Sequence, residues 1–178
     1  APITVTYSGA TAPEGQQVTV HLWARKGLDG EWTNTGLSAT GPEGSFSYPD
    51  LPDDGYYYFA VQGEANGATS AEPFGPGDTA TLYDTAAPRP GMAESPDYEK
   101  TQEVEVAYAG AEDQGSGLDE VRLWVRRDDE QWQDTGLRSD APQGTFSFDA
   151  DGEAVYHFFT QARDRAGNLS PTPAAEGK

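Results

Sequence analysis

Six side chains with oxygen ligands fall in or beside turn clusters: Asp84, Glu112, Asp113, Asp119, Asp164 and Asn168. Glu112, Asp113 and Asp119 flank the loop Gly115-Ser-Gly117, Asp84 opens a Pro-containing segment, and Asp164 and Asn168 bracket the last turn. Calcium takes roughly six to eight oxygens, several of them loop carboxylates and carbonyls. These residues are therefore the candidate metal ligands, and calcium is the cofactor the sequence suggests. The spacing is not that of an EF-hand. The bland alternative is that these acids are solvated turn charges, with Asp and Asn capping backbone N–H groups in tight turns.

Other chemistry finds less support. His21 and His157 are the two histidines, and neither recurs at the matching place in the other half of the chain. There is no G-x-S-x-G, no H-E-x-x-H and no Gly-rich phosphate loop. A glycosidase needs two carboxylates, one with a pKa raised by burial. Most acids here lie in turns, as Asp53-Asp54 and Asp128-Asp129 do. The chain reads as non-enzymatic, with no catalytic residue to name.

Composition narrows the classes further. The 178 residues carry 11 basic and 30 acidic side chains, a net charge of −19, and no Cys. Without Cys there is no disulfide framework and no thiolate metal site. Without a basic excess there is no face to neutralise phosphates, so nucleic acid is not an expected partner. No apolar run is long enough for a membrane-spanning helix. Four Trp, nine Tyr and seven Phe are too many for a chain that cannot build a core. The acidity extends over both halves and favours solubility.

The elements that must position these residues are written twice. His21-Leu-Trp-Ala-Arg25 matches Arg122-Leu-Trp-Val-Arg126. Glu31-Trp-Thr-Asn-Thr-Gly-Leu37 matches Gln131-Trp-Gln-Asp-Thr-Gly-Leu137, and Gly44-Ser-Phe-Ser-Tyr48 matches Gly144-Thr-Phe-Ser-Phe148. Tyr57-Tyr-Phe-Ala-Val-Gln62 matches Tyr156-His-Phe-Phe-Thr-Gln161. Within each copy the apolar period is two, as in Ile3, Val5, Tyr7 and in Val121, Leu123, Val125, which describes half-buried strands. The pattern places strands at 3–8, 17–25, 31–35, 44–48, 56–63 and 79–83. In the second copy it places them at 102–109, 120–127, 131–135, 144–148 and 154–163. Gly/Pro/Asp turns separate them. The expectation is an all-β chain of two tandem sandwiches, at 1–84 and 93–178. Residues 85–92 form a short linker, because Pro88 and Pro90 lack the N–H a ladder needs.

With these blocks in view, the chain resembles the bacterial immunoglobulin-like (fibronectin type III-like) repeats of secreted and cell-surface proteins. The residues that carry the likeness are Gly115-Ser-Gly117, Val121-Arg-Leu-Trp124, Gln131-Trp132, Gly144-Thr-Phe-Ser-Phe148, Tyr156-His-Phe-Phe159, Ala162-Arg-Asp-Arg-Ala-Gly-Asn168 and Thr81-Leu-Tyr-Asp-Thr-Ala-Ala-Pro88. The resemblance implies two immunoglobulin-like β-sandwich domains and an extracellular setting. It says little of activity, since such modules serve as spacers, adhesins and companions of hydrolases. The Ala-Pro start fits a mature secreted protein, and equally the boundary of a piece taken from a longer chain.

Two further expectations follow. Trp23, Arg25, Trp124, Arg126, His157 and Phe159 fall on outward strand positions, where aromatic and Arg groups could hold a surface glycan or protein. The local alternative is Arg stems stacked on Trp rings. The first copy has no first strand before Ile3, and the second has no counterpart of Thr79–Tyr83 after Asn168. The bland alternative is that the chain was cut from a longer one or that its tail pairs irregularly; otherwise a missing strand leaves unpaired backbone groups, which another chain can fill. Ile3, Val5 and Tyr7, or Leu169, Pro171 and Pro173, are then the self-assembly segments. Head-to-tail filling would build a filament. The sequence thus points to an extracellular spacer or filament subunit, with an adhesive binding module as the alternative.

Overall fold

The computed structural model describes residues 2–49 and 51–174. The chain forms two compact units, Ala1–Tyr83 and Asp84–Lys178. Both are β-sandwiches, and no helix occurs among the described residues.

The first unit holds β1 (Ile3–Tyr7), β2 (Thr19–Lys26), β3 (Thr33–Thr40), β4 (Gly44–Tyr48), β5 (Gly55–Ala65), β6 (Ala68–Thr69) and β7 (Thr79–Tyr83). One sheet is β1-β4; the other runs β3-β2-β5, with β6 and β7 also pairing β5. The core comes from alternate positions of these strands. Val20, Leu22 and Ala24 of β2 meet Val5, Tyr7, Phe46, Tyr57 and Phe59. Asn66 and Gly67, with φ of 51° and 76°, make the two-residue turn between β5 and β6.

The second unit holds β8 (Arg89–Glu94), β9 (Glu103–Glu112), β10 (Leu118–Arg127), β11 (Gln133–Ser139), β12 (Gly144–Asp149) and β13 (Tyr156–Asp164). Its sheets are β12-β9-β8 and β11-β10-β13. Val104, Val106, Tyr108, Val121, Leu123 and Phe146 form the core.

Two strand expectations need correction. The segment from Asp84 to Met92, read as unable to continue a ladder, holds the start of β8. Arg89, Pro90 and Met92 lie opposite Glu112, Ala111 and Ala109. Proline is tolerated there because β8 is the edge of its sheet, where one side of the backbone needs no ladder partner. The third strands also run past Gly36 and Gly136 instead of ending at residues 35 and 135. Both glycines are left-handed, φ 77° and 81°. Each sits where the pairing with the neighbouring strand shifts register. They kink the strand rather than end it.

A threonine fixes each kink. Thr35 Oγ1 donates to the Leu22 carbonyl (2.7 Å) and accepts from the Leu37 N–H (3.1 Å). Thr135 repeats both bonds with Leu123 and Leu137 at the same distances. Thr35→Val and Thr135→Val strand two backbone groups each. Each should cost its own unit about 1–3 kcal/mol in urea unfolding.

Candidate functional site

The site lies within the second unit and is built from three of its segments. Asp84 is the unit's first residue, Asp113 follows β9, and Asp164 ends β13. One carboxylate oxygen from each lies within 4.8 Å of the other two. Asp84 and Asp164 are 8% and 1% exposed. Among the described residues, no Lys or Arg is ion-paired with any of the three.

Backbone N–H groups hold each carboxylate. Asp113 Oδ2 accepts from Gly115 (3.0 Å) and Gly117 (2.7 Å). Asp84 Oδ2 accepts from the Ser116 N–H (2.6 Å) and Oδ1 from the Ala86 N–H (3.0 Å). Asp164 Oδ1 accepts from the Asn168 N–H (2.8 Å). The Asn168 amide nitrogen donates to both Asp164 Oδ2 (2.8 Å) and the Asp84 carbonyl (3.0 Å). It thereby ties the entering chain to the last turn. Gly115 has no side chain because a Cβ there would overlap the Asp84 carboxylate.

Burial pushes the Asp84 carboxyl up, but the Ser116 hydroxyl and N–H and the Ala86 N–H outweigh it and hold the group below the ordinary carboxylate value. A carboxylate depressed on folding stabilises above its unfolded pKa and loses that contribution as pH falls through the folded one. Acid should therefore weaken the second unit in that window, and Asp84→Asn should flatten the dependence in urea midpoints measured against pH.

The donor set is all oxygen. Hard carboxylate and carbonyl ligands suit calcium or magnesium and lack the His or Cys that zinc or copper favours. Three of the six sequence candidates converge, and Asn168 braces them. The other two lie in ion pairs: Glu112 with Arg89 (3.0 Å) and Asp119 with Arg163 (2.7 Å). Sequence reasoning passed over Ser116, whose hydroxyl bonds Asp84 and accepts from the Ala166 N–H (3.1 Å). Its place between two glycines beside Asp113 was the available signal.

The outward aromatic positions are occupied differently in the two units. Arg25 lies over Trp32 (4.8 Å) and Tyr58 (5.2 Å) and donates to the Leu28 and Gly75 carbonyls. Arg126 lies over Trp132 (5.2 Å), which meets Phe159 edge-on. Trp124 Nε1 donates to Gln161 Oε1 (3.2 Å), and His157 is exposed. Trp23 Nε1 is buried with no partner. The rings under the two arginines, Trp32 and Trp132, are ones the sequence reading left out.

The proposed assembly residues divide too. Ile3, Val5 and Tyr7 form β1 and point to the core. Leu169 is bridged to Arg163. Ser170 then locks the chain: its Oγ accepts from the Ala162 N–H (2.9 Å) and its carbonyl from Gln161 Nε2 (2.9 Å). Ser70 makes the same two bonds with Gly63 and Gln62. Pro171 and Pro173 follow outside any strand, while Ala1 and residues 175–178 lie outside the described residues.

No catalytic constellation accompanies the acids among the described residues. His21 bonds Glu64 (2.9 Å) in the first unit. A groove of about 330 Å³ in the second is lined by Asp119, Glu120, Arg138, Ser139, Asp140 and Arg163. Its arginines are ion-paired to Asp134, Glu120 and Asp119. No helix among the described residues is long and apolar enough to cross a membrane. No protein-family model and no curated protein sequence matches this chain.

Proposed function

We propose that the chain is a non-enzymatic, extracellular structural module. In this reading it consists of two immunoglobulin-like (fibronectin type III-like) sandwiches that serve as a surface spacer or as a subunit of a strand-complemented filament. One observation carries it: the convergence of Asp84, Asp113 and Asp164 with no cation from the described chain to balance them. Calcium held there would fasten the segment entering the second unit to the loop after β9 and the turn after β13. That is a stiffening role, and millimolar calcium outside cells can fill even weak sites of this kind. The proposed localisation, secreted or on the cell surface, follows from that argument and from the resemblance of the sequence.

Thermal unfolding with calcium, with magnesium and with EDTA tests the reading. Calcium should raise the second transition and leave the first in place. Gly115→Ala should erase the response without removing a charge, because the new methyl displaces the Asp84 carboxylate. A second unit indifferent to calcium would remove the metal role.

An adhesive module is the other reading. The exposed His157, on the strand that carries Phe159, supports it, because such rings can meet a sugar or a peptide. Retention of the chain on a glycan array, lost in His157→Ala, would favour that role.

A further inference from the structure

The two units plug the same end of the sandwich differently. Tyr57 and Tyr156 hold matching places, and each hydroxyl donates to the carbonyl four residues earlier, Asp53 (3.0 Å) and Gly152 (3.3 Å). Counting back six residues from each tyrosine sets Leu51 against Ala150. Leu51 is buried in the core of the first unit. Ala150 packs against the core of the second with only a methyl group. A leucine shortened to alanine at a core position leaves space that the surroundings refill only in part. Beside Ala150, its neighbours Asp149 and Asp151 line a pocket of about 280 Å³. The apolar wall of the pocket is Val125 with Phe148 and Tyr156, whose rings meet edge-on (5.6 Å).

The mouth differs for a related reason. Lys26 and Arg127 end β2 and β10, opposite Tyr57 and Tyr156. Lys26 Nζ pairs with Asp53 (3.1 Å) and lies over the Tyr57 ring (5.8 Å). The place of Asp53 is taken by Gly152, which offers no carboxylate. Among the described residues Arg127 has no ion pair and lies over no ring. It lines the pocket together with Glu130, Asp149 and Asp151, and none of these three acids is ion-paired among the described residues either. Two changes between the copies therefore act at one place. One opens an apolar space, and the other frees a guanidinium beside it.

We propose that this pocket binds a small apolar zwitterion, with the chemistry of an amino acid such as leucine or phenylalanine. The apolar body enters where Leu51 stands in the first unit. Its carboxylate meets Arg127, whose planar fork can donate two parallel N–H bonds. Its ammonium group meets the acids of the rim. A plain cation would be set beside Arg127 and a plain anion beside three carboxylates, and like charges so placed cost affinity. A ligand carrying both signs avoids both costs. Ligand pockets run from about 300 to 1,000 Å³, so this one suits a group the size of one side chain.

Amide chemical shifts of the 178-residue chain, titrated in EDTA, test this. The probes are leucine, phenylalanine, glycine, phenethylamine and phenylpropionate. Leucine and phenylalanine should give saturable shifts at Val125, Arg127 and Tyr156. Phenethylamine lacks the carboxylate and phenylpropionate the ammonium, and each should bind about tenfold more weakly than phenylalanine. Glycine, with both charges and no apolar body, should not saturate. Ala150→Leu should abolish the phenylalanine shifts and raise the unfolding midpoint of the second unit, as cavity filling does. Arg127→Gln should weaken phenylalanine about tenfold and spare phenethylamine. This second variant decides the matter if Ala150→Leu does not fold. No saturable shift with either apolar amino acid overturns the inference. So does phenethylamine or glycine binding as tightly as phenylalanine, or a phenylalanine response that survives in folded Ala150→Leu.

Discussion

Calcium at about a hundred times its dissociation constant should raise the melting temperature of the second unit by about 10–20 °C. A site bound only in the folded state adds about 2.7 kcal/mol at that excess, and a unit of this size gains about 4–8 °C per kcal/mol. The cation has repulsion to relieve. Two carboxylates within 4.8 Å of one another repel by at least about 3 kcal/mol at an effective dielectric constant of about 20. The variants separate this from a hydrogen-bonding role. Asp113→Asn keeps an oxygen for the Gly115 and Gly117 N–H groups and removes one charge from the trio. In EDTA it should be as stable as the parent or more so, and in calcium it should lose most of the gain. Calorimetry of both proteins in both buffers decides the matter. Equal shifts in parent and variant would place the bound calcium elsewhere.

Phe59→Ala should cost the first unit about 3–5 kcal/mol, and Phe158→Ala should cost the second clearly less. The two residues hold the same place in the repeat, opposite Ala24 and Val125. Both rings meet an aromatic edge, Tyr48 in one unit and Phe148 in the other, with centroids 5.3 Å apart. What differs is the cover from β7 on the far side of Phe59. The cost of truncation grows with the apolar surface that the ring had kept from water and with the cavity it leaves, and Phe158 already borders solvent. Urea unfolding followed by tryptophan fluorescence reads both units, since each has two indoles. Equal costs would mean that β7 contributes little to burying Phe59.

The duplicated strands were legible because period-two patterns are local and the two copies supported each other. Val121, Leu123 and the outward Trp124 needed no structure to be placed. What escaped was governed by backbone context. Pro90 in β8 reads as a breaker until its strand is known to be an edge. Gly36 and Gly136 read as stops until a threonine is seen holding the kink. The hairpin signal Asn66-Gly67 was in plain view and went unread. For the candidate site, residue type and turn position picked out Asp84, Asp113 and Asp164. They did not separate these from Glu112 and Asp119, whose arginine partners lie 23 and 44 residues away in sequence. Ser116 gave no signal as a ligand-bearing type, because its part is to brace a carboxylate.

The place of Asp84 at the start of the second unit also has a mechanical consequence. Under tension, residues 84–178 should yield more readily without metal than with it. Their release lengthens the chain to about 300 Å. A cation clamped between Asp84 and the two loops would sit on the first residue of that unit to feel the load. Metal availability would then set the force at which such a tether gives way.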